Sequence, residues 1–209
     1  MPVQLGAQPE HGFDEPLGLL SDCHRRIERF LDVLLTIATA RRGNPLDAGE
    51  IAALKTALRY FRDAAPRHTA DEEESLFPRL RERAATDPAA RAALARLDAL
   101  EADHAVADVA HAAVDNLGHR WLEAGRLDAA AATRLVELLR DLRELYRRHI
   151  AVEDGEVFPV AARALSADLL ADVGQEMARR RGVVVPRDVH DPRDVHDADR
   201  PRQQTREGR

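Results

Sequence analysis

Cysteine is almost absent from this chain: Cys23 is the only one among 209 residues. That excludes a disulfide framework and any zinc module built on thiolates, and it fits a reducing compartment. Lysine is equally scarce, with Lys55 alone, so arginine carries nearly all of the 31 positive charges set against 37 acidic ones. A net charge of −6 leaves no electrostatic footprint for a phosphate backbone, so nucleic acid is not an expected partner. Aromatic residues make up 4% of the chain, which speaks against a strand-rich fold. No apolar run approaches the ~18 to 20 residues that span a bilayer, so no membrane association is expected. The opening MPVQLGAQPEHGFDEP has neither a basic n-region nor an apolar h-region and does not read as a signal peptide. These absences together describe a soluble protein of the cytoplasm.

What is present is a helical composition: 44% hydrophobic, 33% charged, rich in Ala, Leu, Arg and Glu. Residues 1–15 read as an irregular arm. Pro16 suits a first helical turn, and Leu20, Ile27, Leu31, Leu34 and Leu35 recur with helical period until Gly43-Asn44-Pro45. Asp47 is placed to cap a second helix that carries Ile51, Leu54, Leu58 and Phe61 through His68 to about Ala85. Pro66 and Pro78 fall inside it, and either can kink or break it. Asp87-Pro88 opens a third helix to about Glu123, and a fourth runs from the turn at Gly125–Asp128 through HIAVEDGEVFP. Ser166 caps a short fifth helix ending near Arg181. From residue 182 to 209 the sequence turns polar and repeats PRDVHD in tandem, which reads as a disordered tail with solvated His190 and His196.

Two stretches echo each other. HTADEEESLFP begins at His68 and HIAVEDGEVFP at His149, and their His, Glu and Pro positions each differ by 81. The echo extends upstream, where LLSDCHRRIERFLDVL aligns with ALEADHAVADVAHAAV and sets His24 against His104, 80 apart. The chain is therefore two related helical hairpins, each carrying a histidine, about 44 residues, then His-x3-Glu, and each needing a partner for its apolar face.

Spacing becomes geometry once the helices are folded back. From His24 to the end of the first helix is about 27 Å and from Asp47 to His68 about 31 Å, at 1.5 Å per residue. The other two turns give the same agreement. An all-α, up-down-up-down four-helix bundle thus brings His24, His68, His104, His149, Glu72 and Glu153 to one level. Left unpaired in a core, four imidazoles and two carboxylates are costly. A metal pair resolves the cost, with neutral imidazoles as ligands and the glutamates as bridges, and nitrogen–oxygen chemistry alone leaves iron, manganese, zinc and copper open.

His24, His68-x3-Glu72, His104 and His149-x3-Glu153, with the EE-x-x-LFP surroundings of Glu72 and their echo at Glu153, resemble the hemerythrin-like (HHE cation-binding) family over residues 14–180. The resemblance implies a left-handed four-helix bundle and two non-haem iron ions bridged by carboxylates and an oxo or hydroxo group. Oxygen-carrying members have a second histidine at i+4 on the third helix, where this chain has Asp108. They also set the fourth-helix carboxylate at i+5, here Asp154. Glu153 is favoured because the repeat pairs it with Glu72 and i+4 keeps it on the His149 face. Fewer nitrogen ligands leave more open positions, which favours reaction or metal exchange over oxygen storage. The pattern is similar to bacterial di-iron proteins of iron–sulfur repair and nitric-oxide chemistry, without their N-terminal cysteine segment. It is also similar to eukaryotic iron-sensing domains and to actinobacterial proteins linked to peroxide handling.

The expectation is a di-iron protein binding O2, peroxide or NO in oxidative or nitrosative stress or iron handling, with no protein partner legible. A gas or iron sensor without turnover and a metal-free helical adaptor are the alternatives. Glu28 and Asp108 share faces with the histidines and read as outer partners, as terminal ligands or as solvated acids. Tyr146 lies at i−3 from His149 and reads as core, or as a donor to bound oxygen. His111 reads as a core or rim residue, His119 and His11 as exposed, and Cys23 as an inert packed thiol pointing away from the cluster.

Overall fold

The computed structural model describes residues 10–185. The PRDVHD repeat with His190 and His196, and residues 1–9 of the arm, lie outside them. Four long helical runs form the bundle. The first is α1 (Pro16–Arg41). The second comprises α2 (Ala48–Asp63), α3 (Ala65–Asp71), a π turn at Glu72–Leu76 and α4 (Phe77–Arg83). The third is α5 (Pro88–Ala124), and the fourth comprises α6 (Ala129–Val152), a second π turn at Glu153–Val157 and α7 (Phe158–Ala164). A shorter α8 (Ala167–Arg180) follows. In cross-section α1 packs on α2 and α6, and α5 packs on α2 and α6, closing the ring.

The starts and stops follow local chemistry. Asp47 and Glu50 form a reciprocal capping box on α2, and Asp87, Asp128 and Ser166 cap α5, α6 and α8 with side-chain oxygens. At the far end the two hairpin loops are joined: Leu127 N–H donates to the Gly43 carbonyl at 2.9 Å, and the Trp121 indole donates to the Asn44 carbonyl at 3.1 Å. Gly43 sits at φ 81° with the Leu127 carbonyl where a Cβ would stand, so glycine is required there.

The prolines resolve differently from a simple kink. Pro66 lies in the first turn of α3, after the break at Ala64. Pro78 and Pro159 each follow a π turn, in which Phe77 N–H reaches the Glu72 carbonyl and Phe158 N–H the Glu153 carbonyl, five residues back. A proline has no N–H to give and its ring collides with the carbonyl four residues earlier. One extra residue in the turn absorbs both defects without ending the helical run.

The apolar interior is in two parts. A large core runs from Ile27, Leu31 and Leu58 through Trp121 to Leu139 and Ile150. A smaller one joins Leu20, Leu76, Phe77, Leu97, Phe158 and, from α8, Val173 and Met177. On every strut of the bundle the polar candidate residues fall between these two cores.

The segment before α1 is anchored on α8, where the Phe13 carbonyl occupies the place a Gly174 side chain would take. Gly174→Ala should therefore destabilise the fold by about 1–3 kcal/mol through overpacking, measured as a lower urea midpoint at unchanged m-value. An unchanged midpoint would mean that residues 10–15 do not bear on α8.

Candidate metal centre

His24 projects from α1, His68 from α3, His104 from α5 and His149 from α6, while Glu72 and Glu153 are the first residues of the two π turns. All six are buried, the two glutamates completely. His24 Nε2 lies 3.0 Å from Glu153 Oε2 and 3.7 Å from Glu72 Oε1. His68 Nε2 is 3.4 Å from Glu72 Oε1, and His104 Nε2 is 3.4 Å from Glu72 Oε2. His149 Nε2 is 3.1 Å from Glu153 Oε2. The donors sort into two groups of four, His24–His68–Glu72–Glu153 and Glu72–His104–His149–Glu153, each with all ligand atoms within 4.8 Å. Both glutamates belong to both groups, which is the topology of a bridged pair.

The outer ring nitrogens repeat the duplication. Each glutamate is followed by a second acid, and that acid serves the histidine of the other hairpin. Glu73 Oε1 is 2.8 Å from His104 Nδ1, and Asp154 Oδ1 is 3.1 Å from His24 Nδ1 while also accepting from the Ser21 hydroxyl. Asp103 sits 3.6 Å from His149 Nδ1, an ion-pair contact too long for a hydrogen bond. A carboxylate at Nδ1 fixes that proton outward and turns the Nε2 lone pair into the cluster. Asp154 thus lies outside the shared layer, and Glu153 lies in it. Glu73, Asp103 and Ser21 were not singled out in the sequence; the acid doublets Glu72-Glu73 and Glu153-Asp154 are the signal that would have found Glu73.

Protons alone cannot satisfy this layer. Burial and the neighbouring Glu153 push the Glu72 carboxyl up to about 8. Burial presses Glu153 the same way, but the His149 and His24 rings drawn up against its Oε2 outweigh it and hold that carboxyl below its usual range. His24 is raised well above an ordinary imidazole because Asp154, Glu153 and Glu72 overcome the cost of burial. His68 is driven well below it by burial and by the charge on His24. Glu72 and Glu153 keep buried carboxylate oxygens without hydrogen-bond partners, as does the His24 Nε2. His104 and His149 bring their Nε2 atoms to 3.1 Å of each other. Converging nitrogen lone pairs and orphaned carboxylate oxygens fit a pair of cations and fit little else.

The first π turn is clasped from outside. Asp71, fully buried beside Glu72, receives Arg180 at 3.0 Å and Arg181 at 2.6 Å from the end of α8. Arg180 also reaches Glu74 and the Ser75 hydroxyl. The second π turn has no such arginine clasp among the described residues: besides the Asp154 contacts to Ser21 and His24 on α1, it makes the exposed Arg96–Glu156 pair across to α5. Other residues weighed in the sequence lie elsewhere. Glu28 and Asp108 are exposed. His111 pairs with the Tyr146 hydroxyl at 3.1 Å, so that hydroxyl is directed to α5. His11 is half-buried against Asp22, not free on the surface, and His119 is half-buried beside Asp115. Cys23 is buried, its thiol pushed up by burial.

Residues 15–161 match the family model described as the hemerythrin HHE cation binding domain. The chain is also 28% identical over 183 residues to an uncharacterized protein of Haemophilus influenzae, an alignment covering 82% of this chain and 92% of the relative. No described helix is long and apolar enough to cross a membrane.

The clasp generates a contrast between the two turns. Replacing both Arg180 and Arg181 by alanine leaves Asp71 buried and unpaired and should cost about 3–5 kcal/mol in chemical unfolding. Arg96→Ala, which removes a surface pair, should leave the unfolding midpoint nearly where it was.

Proposed function

The chain belongs to the hemerythrin HHE cation-binding family, and from that premise we propose that it is a non-haem di-iron protein that binds O2, peroxide or NO. In this reading His24 and His68 hold one iron, His104 and His149 the other, and Glu72 and Glu153 bridge them. One observation carries it: the buried oxygens of both glutamates have no hydrogen-bond partner, and the Nε2 atoms of four imidazoles converge on them. When bound, the iron pair supplies two adjacent redox-active Lewis-acid ions with positions left for a small oxygen or nitrogen ligand.

The protein's own part is to hold, orient and dry the site. Apolar cores on both sides keep bulk water away and strengthen the electrostatics between them. Asp154 and Glu73 hold the His24 and His104 rings in the ligating tautomer. Asp108 is exposed on α5 and adds no ligand, so open positions favour peroxide or NO chemistry, or metal exchange, over reversible oxygen storage. A single buried cysteine suits a reducing cytoplasm, where oxidative stress and iron handling both make use of such a site.

Protein loaded anaerobically with ferrous iron should retain about two irons per chain, as carboxylate-bridged bundle sites do. Glu72→Ala should retain less than half of that with helicity unchanged. Peroxide consumption by the loaded chain, lost in His68→Ala, identifies an enzyme; binding of NO or O2 without turnover identifies a sensor. A fully helical chain that retains no iron would contradict the reading and leave a helical adaptor.

A further inference from the structure

Only eight residues of this chain are Phe, Tyr or Trp, yet aromatic rings form a continuous file leading away from the candidate centre. The Tyr146 ring lies 6.1 Å from the His149 ring. Its hydroxyl meets His111 Nε2 at 3.1 Å across the α5–α6 interface. His111 stacks on Phe61 with ring centroids 4.4 Å apart, and Phe61 meets Tyr60 at 5.3 Å. Tyr60 in turn stacks on Phe30 at 4.5 Å and is half-buried, the outermost of the file. Both tyrosines of the chain thus belong to one run of rings, Tyr146 beside a proposed metal ligand and Tyr60 at the more exposed side.

We propose that Tyr146 and His111 form a redox-active phenol–imidazole pair that passes single electrons between the metal centre and the surface at Tyr60, across His111 and Phe61. The inference rests on the di-iron reading and adds to it the path by which electrons arrive. Oxidising a phenol at an accessible potential requires that its proton leave together with the electron, so a base must already be hydrogen-bonded to the hydroxyl. His111 is in that position, and burial lowers its pKa to about 4, so its nitrogen is free to take the proton at neutral pH.

The balance is as follows. A hydroperoxide takes two electrons and two protons and leaves as an alcohol (or water) and water. The protons come from solvent, one electron comes from the metal pair, and the second comes from Tyr146. As Tyr146 yields its electron, its phenolic proton passes to His111 Nε2, leaving a neutral phenoxyl radical and an imidazolium. One electron from an external one-electron reductant of the ascorbate class, entering at Tyr60, restores the phenol while His111 returns the proton, and a second electron from the same reductant, passed along the same file, restores the metal pair. Phe61 is not itself oxidised; it bridges the gap by ring overlap.

The test mixes the iron-loaded full chain with hydrogen peroxide, freezes it within the reaction and records the electron paramagnetic resonance spectrum, with iron content measured on every sample. A phenoxyl signal is expected in the natural chain, reduced at least about tenfold in Tyr146→Phe at equal iron content. His111→Phe, which keeps the phenol and removes its base, should lose the signal too and decides the matter if Tyr146→Phe fails to hold iron. Tyr60→Phe should keep the signal but slow its quenching by ascorbate about tenfold. Iron bound and peroxide consumed with no phenoxyl signal, or a signal undiminished in Tyr146→Phe, would overturn the route. Quenching unchanged in Tyr60→Phe would overturn its surface leg. Absence of retained iron would overturn the di-iron reading first, and the route with it.

Discussion

Two completely buried carboxylates facing each other across four buried imidazoles are the constraint to which the rest of this molecule answers. Such a layer opposes folding unless something neutralises it: a carboxylate without a partner in an apolar interior costs several kcal/mol. Among the described residues no arginine reaches either of the two glutamates. The bundle places an apolar core above the layer and another below it, and it leaves the inner oxygens of Glu72 and Glu153 unpaired. Metal cations would relieve it, and the donors fall into two overlapping groups of four that could each hold one.

The backbone is shaped to the same end. Each of the two buried glutamates opens a π turn, and each π turn is followed within two residues of its end by a proline that an α-helix could not accept in that position. The duplication carries the device twice, and the acid after each glutamate crosses to the other hairpin's histidine, so each half braces an imidazole of the other. The symmetry stops at the outer layer. Arg180 and Arg181 from α8 lock the turn of Glu72 through Asp71, whereas the turn of Glu153 carries Gly155 and exposed acids.

Much of this was legible in the sequence, for reasons that particular residues make plain. His24, His68, His104 and His149 could be brought to one level because helical rise is constant and the loops between them are short. Glu153 could be distinguished from Asp154 because i+4 shares the face of His149 and i+5 does not. The π turns were not legible: periodicity registers Pro78 as a kink, and nothing in EEESLFP says that the extra residue will be absorbed within the helix. Glu73 and Asp103 were hidden among 37 acidic residues, since an acid at an outer ring nitrogen looks in sequence like any solvated helix acid. The α8 clasp was equally invisible, because Arg180 and Arg181 lie more than a hundred positions from Asp71 and have no periodic relation to it. The reading of residues 182–209 as a disordered tail falls, beyond residue 185, outside the described residues.

The central claim, that cations relieve a layer which otherwise opposes folding, is tested most directly by urea unfolding of the chelator-stripped chain with and without ferrous iron, side by side with the Glu72→Gln, Glu153→Gln double variant. The account predicts that iron raises the stability of the natural chain by at least about 2.7 kcal/mol per site at a hundredfold excess over its dissociation constant. It also predicts that the double variant is the more stable of the two without metal and gains almost nothing from it. A natural chain indifferent to iron, or a double variant less stable than the natural chain when both are stripped, would contradict it.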